Sequence, residues 1–346
     1  MKITKIVQNL TPYVPGEQPK DKDVIKLNTN ENPYPPSPAC REVLKNFDLD
    51  KLRRYPDPVF TDLRAAIATR FGTTPAHVFV GNGSDEILSL VMKAFVENDE
   101  CVGSLDPSYS LYKTLADIRG VPWKPLAMNL DEATPPANMA MAFITNPNAP
   151  TGIVKDPAEI ARFSARFPGV VLIDEAYADF APCNCMALAT AAENTNIIVM
   201  RTFSKSYSLA GLRVGFCVGP EDLIDALYRI KDSYNVDAVA QAVALAAFND
   251  TACLADHVSR VKATRERFIA DLRARGWDAP ESGSNFVFVK PPAPHTAVDI
   301  FNALRERHIY VRYFSAEKTR DRLRITIGTD EQMASLLSAL DDLIQN

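Results

Sequence analysis

The sequence predicts an α/β protein with a large, mostly parallel sheet, followed by a smaller α+β domain. Two observations carry this prediction. Short apolar segments alternate with helical segments between residues 77 and 202, as they do in βαβ units. Residues 170–173 (VVLI) and 197–200 (IIVM) are continuously apolar, which is typical of strands in a sheet that helices cover on both faces.

The predicted elements follow in chain order, beginning with an amphipathic helix at 63–71. In the alternating part, we predict strands at 77–80, 100–105, 139–145, 170–173 and 197–202, and helices at 85–96, 108–119 and 157–166. The C-terminal part predicts helices at 221–230, 239–248, 252–275, 298–306 and 331–344, with strands at 285–289, 309–313 and 323–327.

The length of 346 residues favours more than one domain. The first 50 residues are rich in Pro and Asn, with NENPYPPSP at 30–38, and predict an extended arm without a long helix or a central strand. We therefore expect an arm that is also part of the small domain (1–50), a large ligand-binding domain (51–245) and a small C-terminal domain (246–346).

Composition argues against several classes of protein. The net charge of -5 and the absence of a Lys/Arg cluster disfavour nucleic acid as a partner. No apolar run approaches the ~18 residues that span a bilayer, and the first residues lack the apolar core of a signal peptide. We expect a cytoplasmic protein without a membrane partner.

The six cysteines are scattered and predict free thiols. Cys183 and Cys185 could be two metal ligands, but the four histidines are isolated in sequence. A cysteine-containing loop is therefore favoured over a metal site.

Polar or Gly/Pro-rich segments follow five of the predicted strands. In chain order they are GNGSDE, DPSY, NPNAPTG, DEAY and TFSK. Because ligands of open α/β sheets bind outside the carboxyl ends of the strands, we expect the functional site at this edge.

The segment GNGSDEIL at 81–88 has two glycines and Ser84 before a helix. Unpaired amides and the helix dipole could bind a phosphate there. Ser84 is equally suited to capping the helix, with Asp85 and Glu86 in its first turn and no ligand present. This segment alone leaves both interpretations open.

Asp174 and Lys205 end two consecutive strands and are 31 positions apart, about the length of one βαβ unit. Asp174 could bind a metal, act as a base, pair with an organic cation or cap a turn; without nearby carboxylate or His partners, the cation is favoured over the metal. A lone lysine is ordinarily a solvated surface residue, yet a buried one forms Schiff bases with carbonyls. Arg213 could hold a phosphate, and Thr202 and Ser204 add hydroxyl donors. Together these groups describe a site for pyridoxal phosphate.

At this point the sequence resembles the fold type I pyridoxal-phosphate aminotransferases, and most closely their histidinol-phosphate branch. The matching segments span nearly the whole chain: NLTPY at 9–13, NENPYPPSP at 30–38, RYPDP at 54–58, GNGSDE at 81–86, PNAPTG at 147–152, DEAYADF at 174–180, TFSKSYSLAGLRVGF at 202–216 and LRITIGT at 323–329. The resemblance implies a seven-stranded sheet and pyridoxal 5'-phosphate bound in the large domain.

The resemblance also implies roles for individual residues around the cofactor. Lys205 would form the Schiff base and later move the proton, Asp174 would pair with the pyridine nitrogen, and Tyr177 would pair with the ring hydroxyl. Tyr109 would stack on the ring. The implied phosphate contacts are Ser84, Asp85 (through its backbone N–H), Thr202, Ser204 and Arg213.

The substrate contacts implied in the same way are Tyr13, Asn30, Arg312 and Arg324. Two guanidinium groups suit a pocket that must bind both a phosphate and a carboxylate. Tyr55, in RYPDP, would reach the phosphate of the neighbouring subunit, which implies a homodimer with shared active sites.

One position departs from the family pattern. Relatives often have Asn immediately before PTG, in contact with the ring hydroxyl, whereas this chain has Ala149. Asn148 is the nearest substitute, and otherwise that contact would depend on Tyr177 alone.

The resulting hypothesis is a transaminase that interconverts histidinol phosphate and 2-oxoglutarate with imidazole acetol phosphate and glutamate. A threonine-phosphate decarboxylase or a broad aromatic aminotransferase is the alternative with the same cofactor. A non-enzymatic nucleotide-binding protein is disfavoured, because no intact G-x-G-x-x-G follows a first strand.

Overall fold

The computed structural model describes residues 2–12, 16–20 and 23–345. Its strands are β1 (Ile25–Lys26), β2 (Val78–Gly81), β3 (Cys101–Leu105), β4 (Trp123–Leu126), β5 (Met139–Thr145), β6 (Val170–Asp174), β7 (Ile197–Thr202), β8 (Gly215–Val218), β9 (Phe286–Val289), β10 (Ile309–Tyr310), β11 (Arg312–Tyr313) and β12 (Leu323–Thr326).

The helices that connect and cover these strands are α1 (Lys5–Asn9), α2 (Pro38–Lys45), α3 (Thr61–Arg70), α4 (Gly83–Phe95), α5 (Leu111–Arg119), α6 (Pro157–Arg166), α7 (Met186–Thr190), α8 (Glu221–Ile230), α9 (Ala238–Asn249), α10 (Thr251–Ala274), α11 (Ala297–Glu306) and α12 (Asp330–Gln345). Most of the predicted elements are therefore present, with boundaries shifted by a few residues.

The large sheet has seven strands in the order β2-β8-β7-β6-β5-β3-β4. All neighbours pair in parallel except β8, which runs antiparallel to both β2 and β7. The predicted fold class, an α/β protein with a mostly parallel seven-stranded sheet, is confirmed.

Helices cover both faces of this sheet, and alternate residues of each strand enter different cores. On β6, Ile173 belongs to one cluster of buried apolar side chains and Leu172 to the other. On β7, Val199 and Ile198 divide in the same way, and all four side chains have 0% exposure. This two-sided burial explains why the central strands are continuously apolar.

A second, smaller core surrounds an antiparallel sheet of β11, β12 and β9. Its strands supply Phe286 and Ile325, both with 0% exposure. Strand β1 of the arm pairs in parallel with β10. The arm therefore contributes a short strand to the C-terminal part of the chain.

The arm expected over residues 1–50 contains no long helix within its described part, but it does contain the short helices α1 and α2. Helix α2 begins directly after Ser37, whose hydroxyl accepts a hydrogen bond from the Ala39 N–H at 3.1 Å. Pro38 stands at the first helical position, where its missing N–H costs nothing. The prolines that suggested an extended segment thus include a helix start, and α2 packs on α9.

The sequence analysis also missed strands β4 and β8. Strand β4 lies at one edge of the large sheet and contains Pro125, which lacks an N–H and is tolerated at an edge. Strand β8 has only four residues and begins two positions after Arg213, so it has no long apolar run of its own.

Within the described ranges, no single helix is long and apolar enough to cross a membrane; α9 and α10 meet such a test only as a pair, and they are bent by 73°. Among the same residues, no group of three or more His, Cys, Asp or Glu side chains is arranged around a possible metal ion. All six cysteines are free thiols, as predicted.

Candidate active site

Asp174 and the loop that carries Lys205 lie at the carboxyl ends of two neighbouring strands, β6 and β7. Strand β6 ends at Asp174, and β7 ends at Thr202, three residues before Lys205. The two strands are parallel neighbours, with Asp174 opposite Met200. The predicted juxtaposition of these two strand ends is therefore present in the fold.

Lys205 lies in a site that favours its neutral amine. Its Nζ donates a hydrogen bond to the backbone carbonyl of Thr29 at 3.0 Å and lies 5.9 Å from the ring centroid of Tyr177. Burial, with the positive charge of Arg324 as the next cause, lowers the pKa of Lys205 to about 8. A lysine with such a pKa has a substantial unprotonated fraction near neutral pH, as a nucleophile requires.

Asp174 is the buried anion of the site, with 4% exposure. Its Oδ1 accepts a hydrogen bond from the Ala176 N–H at 3.0 Å, and its Oδ2 accepts one from the Tyr112 hydroxyl at 2.7 Å. Burial raises the pKa of Asp174 to about 6, although both hydrogen bonds oppose the rise. A cation placed against this carboxylate would stabilise its ionised form.

The beginning of α4 and the segment after β7 form a polar cradle. The Ser204 hydroxyl accepts hydrogen bonds from Thr202 Oγ1 at 3.0 Å and from Arg213 Nη1 at 3.3 Å, which leaves its own proton available to an anion. Gly83 has a φ of +77°, which favours glycine, and a Cβ there would lie 2.6 Å from Arg213 Nη2 and displace the guanidinium.

Ser84 and Asp85 lie in the first turn of α4, where backbone N–H groups have no partner within the helix. The Asp85 carboxylate pairs with the Arg213 guanidinium at 3.2 Å, and both side chains are about half exposed. A Cβ on Gly215 would lie 2.8 Å from the Ser84 backbone nitrogen, which shows how closely β8 approaches this turn. Helix dipole, amides and guanidinium together suit a phosphate-sized anion.

Tyr177 is buried beside Lys205 and is held by two segments distant in sequence. Its ring packs edge-on against Phe286, with centroids 5.1 Å apart. Its hydroxyl accepts a hydrogen bond from Asn30 Nδ2 at 2.9 Å. The Asn30 Oδ1 in turn accepts one from Thr326 Oγ1 at 3.0 Å. The Asn30 side chain is thus hydrogen-bonded to Tyr177 and Thr326. Its role as a substrate contact stays a prediction.

The arm reaches the site through its backbone. Four consecutive carbonyls, at residues 27–30, accept hydrogen bonds from the Thr326 N–H, Arg324 Nη2, Lys205 Nζ and Asn285 Nδ2. Asn32 adds two bonds from its side-chain amide to the carbonyls of Lys205 and Ser206. We call residues 27–32 the arm segment.

Arg312 and Arg324 face each other as Cα partners on β11 and β12. Both are partly buried, and the guanidinium carbon of each lies 5.3 to 5.4 Å from the ring centroid of Phe314. Because the charge of Arg324 lowers the pKa of Lys205, the small sheet and the large sheet share one electrostatic site.

The Asn148 side chain, one position before the amide of the relatives, is hydrogen-bonded to neighbouring loops. Its Nδ2 donates to the Pro107 carbonyl at 3.0 Å and to Thr151 Oγ1 at 2.9 Å, and its Oδ1 accepts from Ser108 Oγ at 3.0 Å. The side chain is fully buried and its amide is engaged by neighbouring loops. The contact of Asn148 with the ring hydroxyl stays a prediction.

The three other predicted tyrosines differ in their position relative to the site. Tyr109 packs edge-on against Tyr112 at the site, with centroids 5.6 Å apart. Tyr55 lies on the outer surface with 79% exposure and stacks on Tyr234 at 4.3 Å. Its contact with a neighbouring subunit stays a prediction, and Tyr13 lies outside the described residues.

Comparisons with known proteins agree with this geometry. The family model described as aminotransferase class I and II matches residues 22–340. The chain belongs to this aminotransferase family.

Individual relatives cover almost the entire aminotransferase chain. It is 45% identical to a histidinol-phosphate aminotransferase of Acetobacter pasteurianus, over 98% of this chain and 97% of the relative. It is 43% identical to histidinol-phosphate aminotransferase 1 of a Nostoc species, over 98% and 97% of the two chains. A solved histidinol-phosphate aminotransferase of Sinorhizobium meliloti, in complex with pyridoxal-5'-phosphate, has a TM-score of 0.89 at 24% identity, over 99% and 98% of the chains. The resemblance inferred from the sequence is confirmed.

Sequence reasoning missed a buried ion pair that braces the lysine loop of this aminotransferase. Arg201, on β7, binds Glu175 Oε2 at 2.7 Å and Asp179 Oδ1 at 3.1 Å. Asp179 also accepts a hydrogen bond from the Ser206 hydroxyl, directly after Lys205. The signal was visible as acidic residues in DEAYADF, but only the paired register of β6 and β7 identifies their partner.

Sequence reasoning also missed Tyr112 and Thr145 as partners of Asp174. Tyr112 occurs three residues after Tyr109 in DPSYSLY, and Thr145 is the last residue of β5. Both lie inside elements predicted from their periodicity, the helix at 108–119 and the strand at 139–145, and their immediate neighbours do not mark them as site residues.

Proposed function

We propose that this protein is a pyridoxal 5'-phosphate-dependent histidinol-phosphate transaminase of histidine biosynthesis. It would interconvert histidinol phosphate and 2-oxoglutarate with imidazole acetol phosphate and glutamate. The observation that carries the proposal is the placement of Lys205 and Asp174 at the carboxyl ends of neighbouring strands, an amine whose pKa is lowered to about 8 and a buried carboxyl whose pKa is raised to about 6. The two relatives described above bear the name of this activity.

The residues present fit the cofactor in three places. The cradle of Ser204, Arg213 and the first turn of α4 suits its phosphate, because Ser204 retains a proton and Gly83 admits the guanidinium. Asp174 suits its pyridine nitrogen and Lys205 its aldehyde. When bound, the cofactor supplies that aldehyde and an electron-withdrawing ring.

Lys205 has two tasks in this proposal. Its neutral amine would hold the cofactor through the aldehyde, and its Nζ would accept the proton of the substrate carbon that bears the amino group. The Thr29 carbonyl, 3.0 Å away, orients Nζ and stabilises the ammonium that results. Asp174, held by Tyr112 and Ala176, would pair with the ring nitrogen and favour its protonated form.

Arg312 and Arg324 are the proposed anion contacts for both substrates. One guanidinium binds a carboxylate or a phosphate with two parallel hydrogen bonds, so the same pair can serve the donor and the acceptor in turn. Asn30 and Tyr13 are proposed as further substrate contacts, and Tyr109 as the residue stacked on the ring. We further propose a cytoplasmic homodimer, in which the exposed ring of Tyr55 reaches the phosphate of the partner's cofactor.

The proposal is tested with Lys205→Ala and the exposed control Lys93→Ala, both assayed with histidinol phosphate and 2-oxoglutarate. We expect Lys205→Ala to lose both turnover and the visible absorbance of the bound cofactor, while Lys93→Ala keeps both. Persistence of either property in Lys205→Ala would contradict the proposed role of the lysine.

Substrate choice is tested with a panel of histidinol phosphate, phenylalanine, tyrosine and threonine phosphate. We expect histidinol phosphate to give the highest kcat/KM and the product to be a ketone. Release of carbon dioxide from threonine phosphate would indicate the decarboxylase, and equal rates with the aromatic amino acids would indicate a broad aromatic aminotransferase.

A further inference from the structure

Tyr112 is a fully buried tyrosine whose hydroxyl lies between two site residues. It lies near the beginning of α5 with 0% exposure. Its hydroxyl is 2.7 Å from Asp174 Oδ2 and 2.7 Å from Thr145 Oγ1. The ring stacks on Phe143, with centroids 4.7 Å apart and planes inclined by 6°. This packing fixes the direction in which the hydroxyl points.

When Asp174 is ionised, the donor and the acceptor of each hydrogen bond in this cluster are determined. A carboxylate only accepts hydrogen bonds, so Tyr112 must donate to Asp174 and its oxygen must accept from Thr145. Ser108 Oγ lies 3.1 Å from Thr145 Oγ1, but its proton is donated to Asn148 Oδ1. The hydroxyls of Thr145 and Tyr112 thus form a directed chain that ends on the carboxylate, and each bond polarises the next.

We propose that Tyr112 is a positioning residue that holds the Asp174 carboxylate ionised and directed toward the ring nitrogen of the bound cofactor. This inference rests on the proposed function. The Ala176 N–H fixes one carboxylate oxygen and Tyr112 fixes the other, so the carboxylate cannot rotate without losing a hydrogen bond.

Asp174 needs such a donor because its surroundings favour the neutral acid. Burial raises the pKa of Asp174 to about 6 even with Tyr112 in place. Removing a hydrogen bond from a buried carboxylate disfavours its charged form further. A neutral Asp174 would no longer stabilise a protonated ring nitrogen.

The test compares two ligands of the apoprotein: pyridoxal 5'-phosphate and its 1-deaza analogue, in which C–H replaces the ring nitrogen. Both occupy the phosphate cradle, but only the first can pair with Asp174. In Tyr112→Phe we expect the affinity for pyridoxal phosphate to fall about tenfold or more, with the affinity for the analogue unchanged. Tyr228→Phe is the matched control, since it removes a hydroxyl that donates to the Val78 carbonyl, and we expect both affinities to be unchanged.

The outcomes separate this inference from the proposed function. Equal weakening of both ligands in Tyr112→Phe would mean that Tyr112 only supports the fold, and would overturn the inference. If the wild type itself failed to prefer pyridoxal phosphate over the analogue, the proposed contact between Asp174 and the ring nitrogen would fail first.

Thr145→Val provides a second test should Tyr112→Phe fold poorly. It removes the hydroxyl behind Tyr112 and keeps the shape of the side chain. We expect the midpoint of the Asp174 carboxyl titration, followed by carbon NMR of the apoprotein, to move to higher pH. An unchanged midpoint would contradict the directed chain.

Discussion

The two halves of the site are stabilised in different ways. The half at the ends of β6 and β7 is fixed by buried side chains: Asp174 by Tyr112, and the lysine loop by Arg201, Glu175 and Asp179. The half formed by the small sheet and the arm segment is fixed largely by backbone carbonyls, which accept from Lys205 and Arg324. The first half depends on side-chain identity, and the second on the path of the chain.

This difference corresponds to two different demands in an aminotransferase. A cofactor that stays bound can be held by a rigid network of buried hydrogen bonds. The two anionic substrates of the proposed reaction have different shapes and must exchange in one pocket, so their arginines lie on a separate sheet and are partly exposed. The following changes test the contrast, from the largest expected effect to the smallest.

Glu175→Gln removes the charge that neutralises buried Arg201. Breaking a buried ion pair on one side leaves an uncompensated charge, although Asp179 remains as a second partner. We expect the free energy of unfolding to fall by about 3 kcal/mol, measured by urea denaturation of the apoprotein. A loss below about 1 kcal/mol would mean that the brace contributes no more than a surface pair.

Asp174→Asn should have the opposite effect on stability. Because burial raises the pKa of Asp174 to about 6, the native apoprotein holds a proton that the unfolded chain releases near pH 4. The wild type therefore loses stability between about pH 4 and pH 6, and above that range the ionised carboxylate costs about 3 kcal/mol.

We accordingly expect the Asp174→Asn apoprotein to unfold at higher temperature than the wild type at pH 7.5, and at nearly the same temperature at about pH 4. Turnover should be lost in the same variant. Asp117→Asn, in an exposed pair with Lys113, is the control and should change stability by no more than about 0.5 kcal/mol. Identical melting of Asp174→Asn and wild type at pH 7.5 would show that the buried charge is not a cost.

Arg324→Lys keeps the charge near Lys205 and removes the planar fork. We expect KM for 2-oxoglutarate to rise about tenfold or more, because the second hydrogen bond to the carboxylate is lost. Arg322→Lys is the control, since Arg322 lies close in sequence but pairs with Asp278. An equal change of KM in both variants would contradict the proposed contact of Arg324 with the carboxylate of 2-oxoglutarate.

Lys318→Ala tests an exposed contact between the C-terminal part and the large sheet. Lys318 pairs with Asp106 at 2.7 Å, and the lysine side chain is 59% exposed. We expect a change in unfolding free energy of about 0 to 1 kcal/mol that disappears in high salt. A larger, salt-resistant loss would show that this surface pair holds the two parts together.

The strand-end half could be predicted from sequence because its residues follow apolar strands directly. Asp174 and Lys205 are recognisable once the βαβ spacing is known, since parallel neighbours end at the same edge of a sheet. Tyr112 could not be predicted in this way, because nothing in DPSYSLY shows which of its two tyrosines points at a carboxylate 62 positions later.

The arm half could be predicted only through the family resemblance. Asn30 and Tyr177 are 147 positions apart, and Asn28 and Arg324 are 296 apart, distances that no local pattern can bridge. The bonds of the arm are also made largely by carbonyls, which every residue type has. Asn148 is the reverse case, because its amide is recognisable in the sequence but its hydrogen-bond partners are not. In the structure this amide holds neighbouring loops together.

The run of backbone acceptors in the arm segment has a consequence for protein engineering. The segment is anchored at one end by the pairing of β1 with β10 and at the other by α2 on α9, so the number of residues between these anchors acts as a spacer of fixed length. Side-chain substitutions at Asn28 or Thr29 leave the carbonyls in place, whereas inserting or deleting one residue would shift all of them out of phase. Changing the length of this spacer would therefore disturb the contacts of Lys205, Arg324 and Asn285 together, whereas strands β6 and β7 would be left as they are.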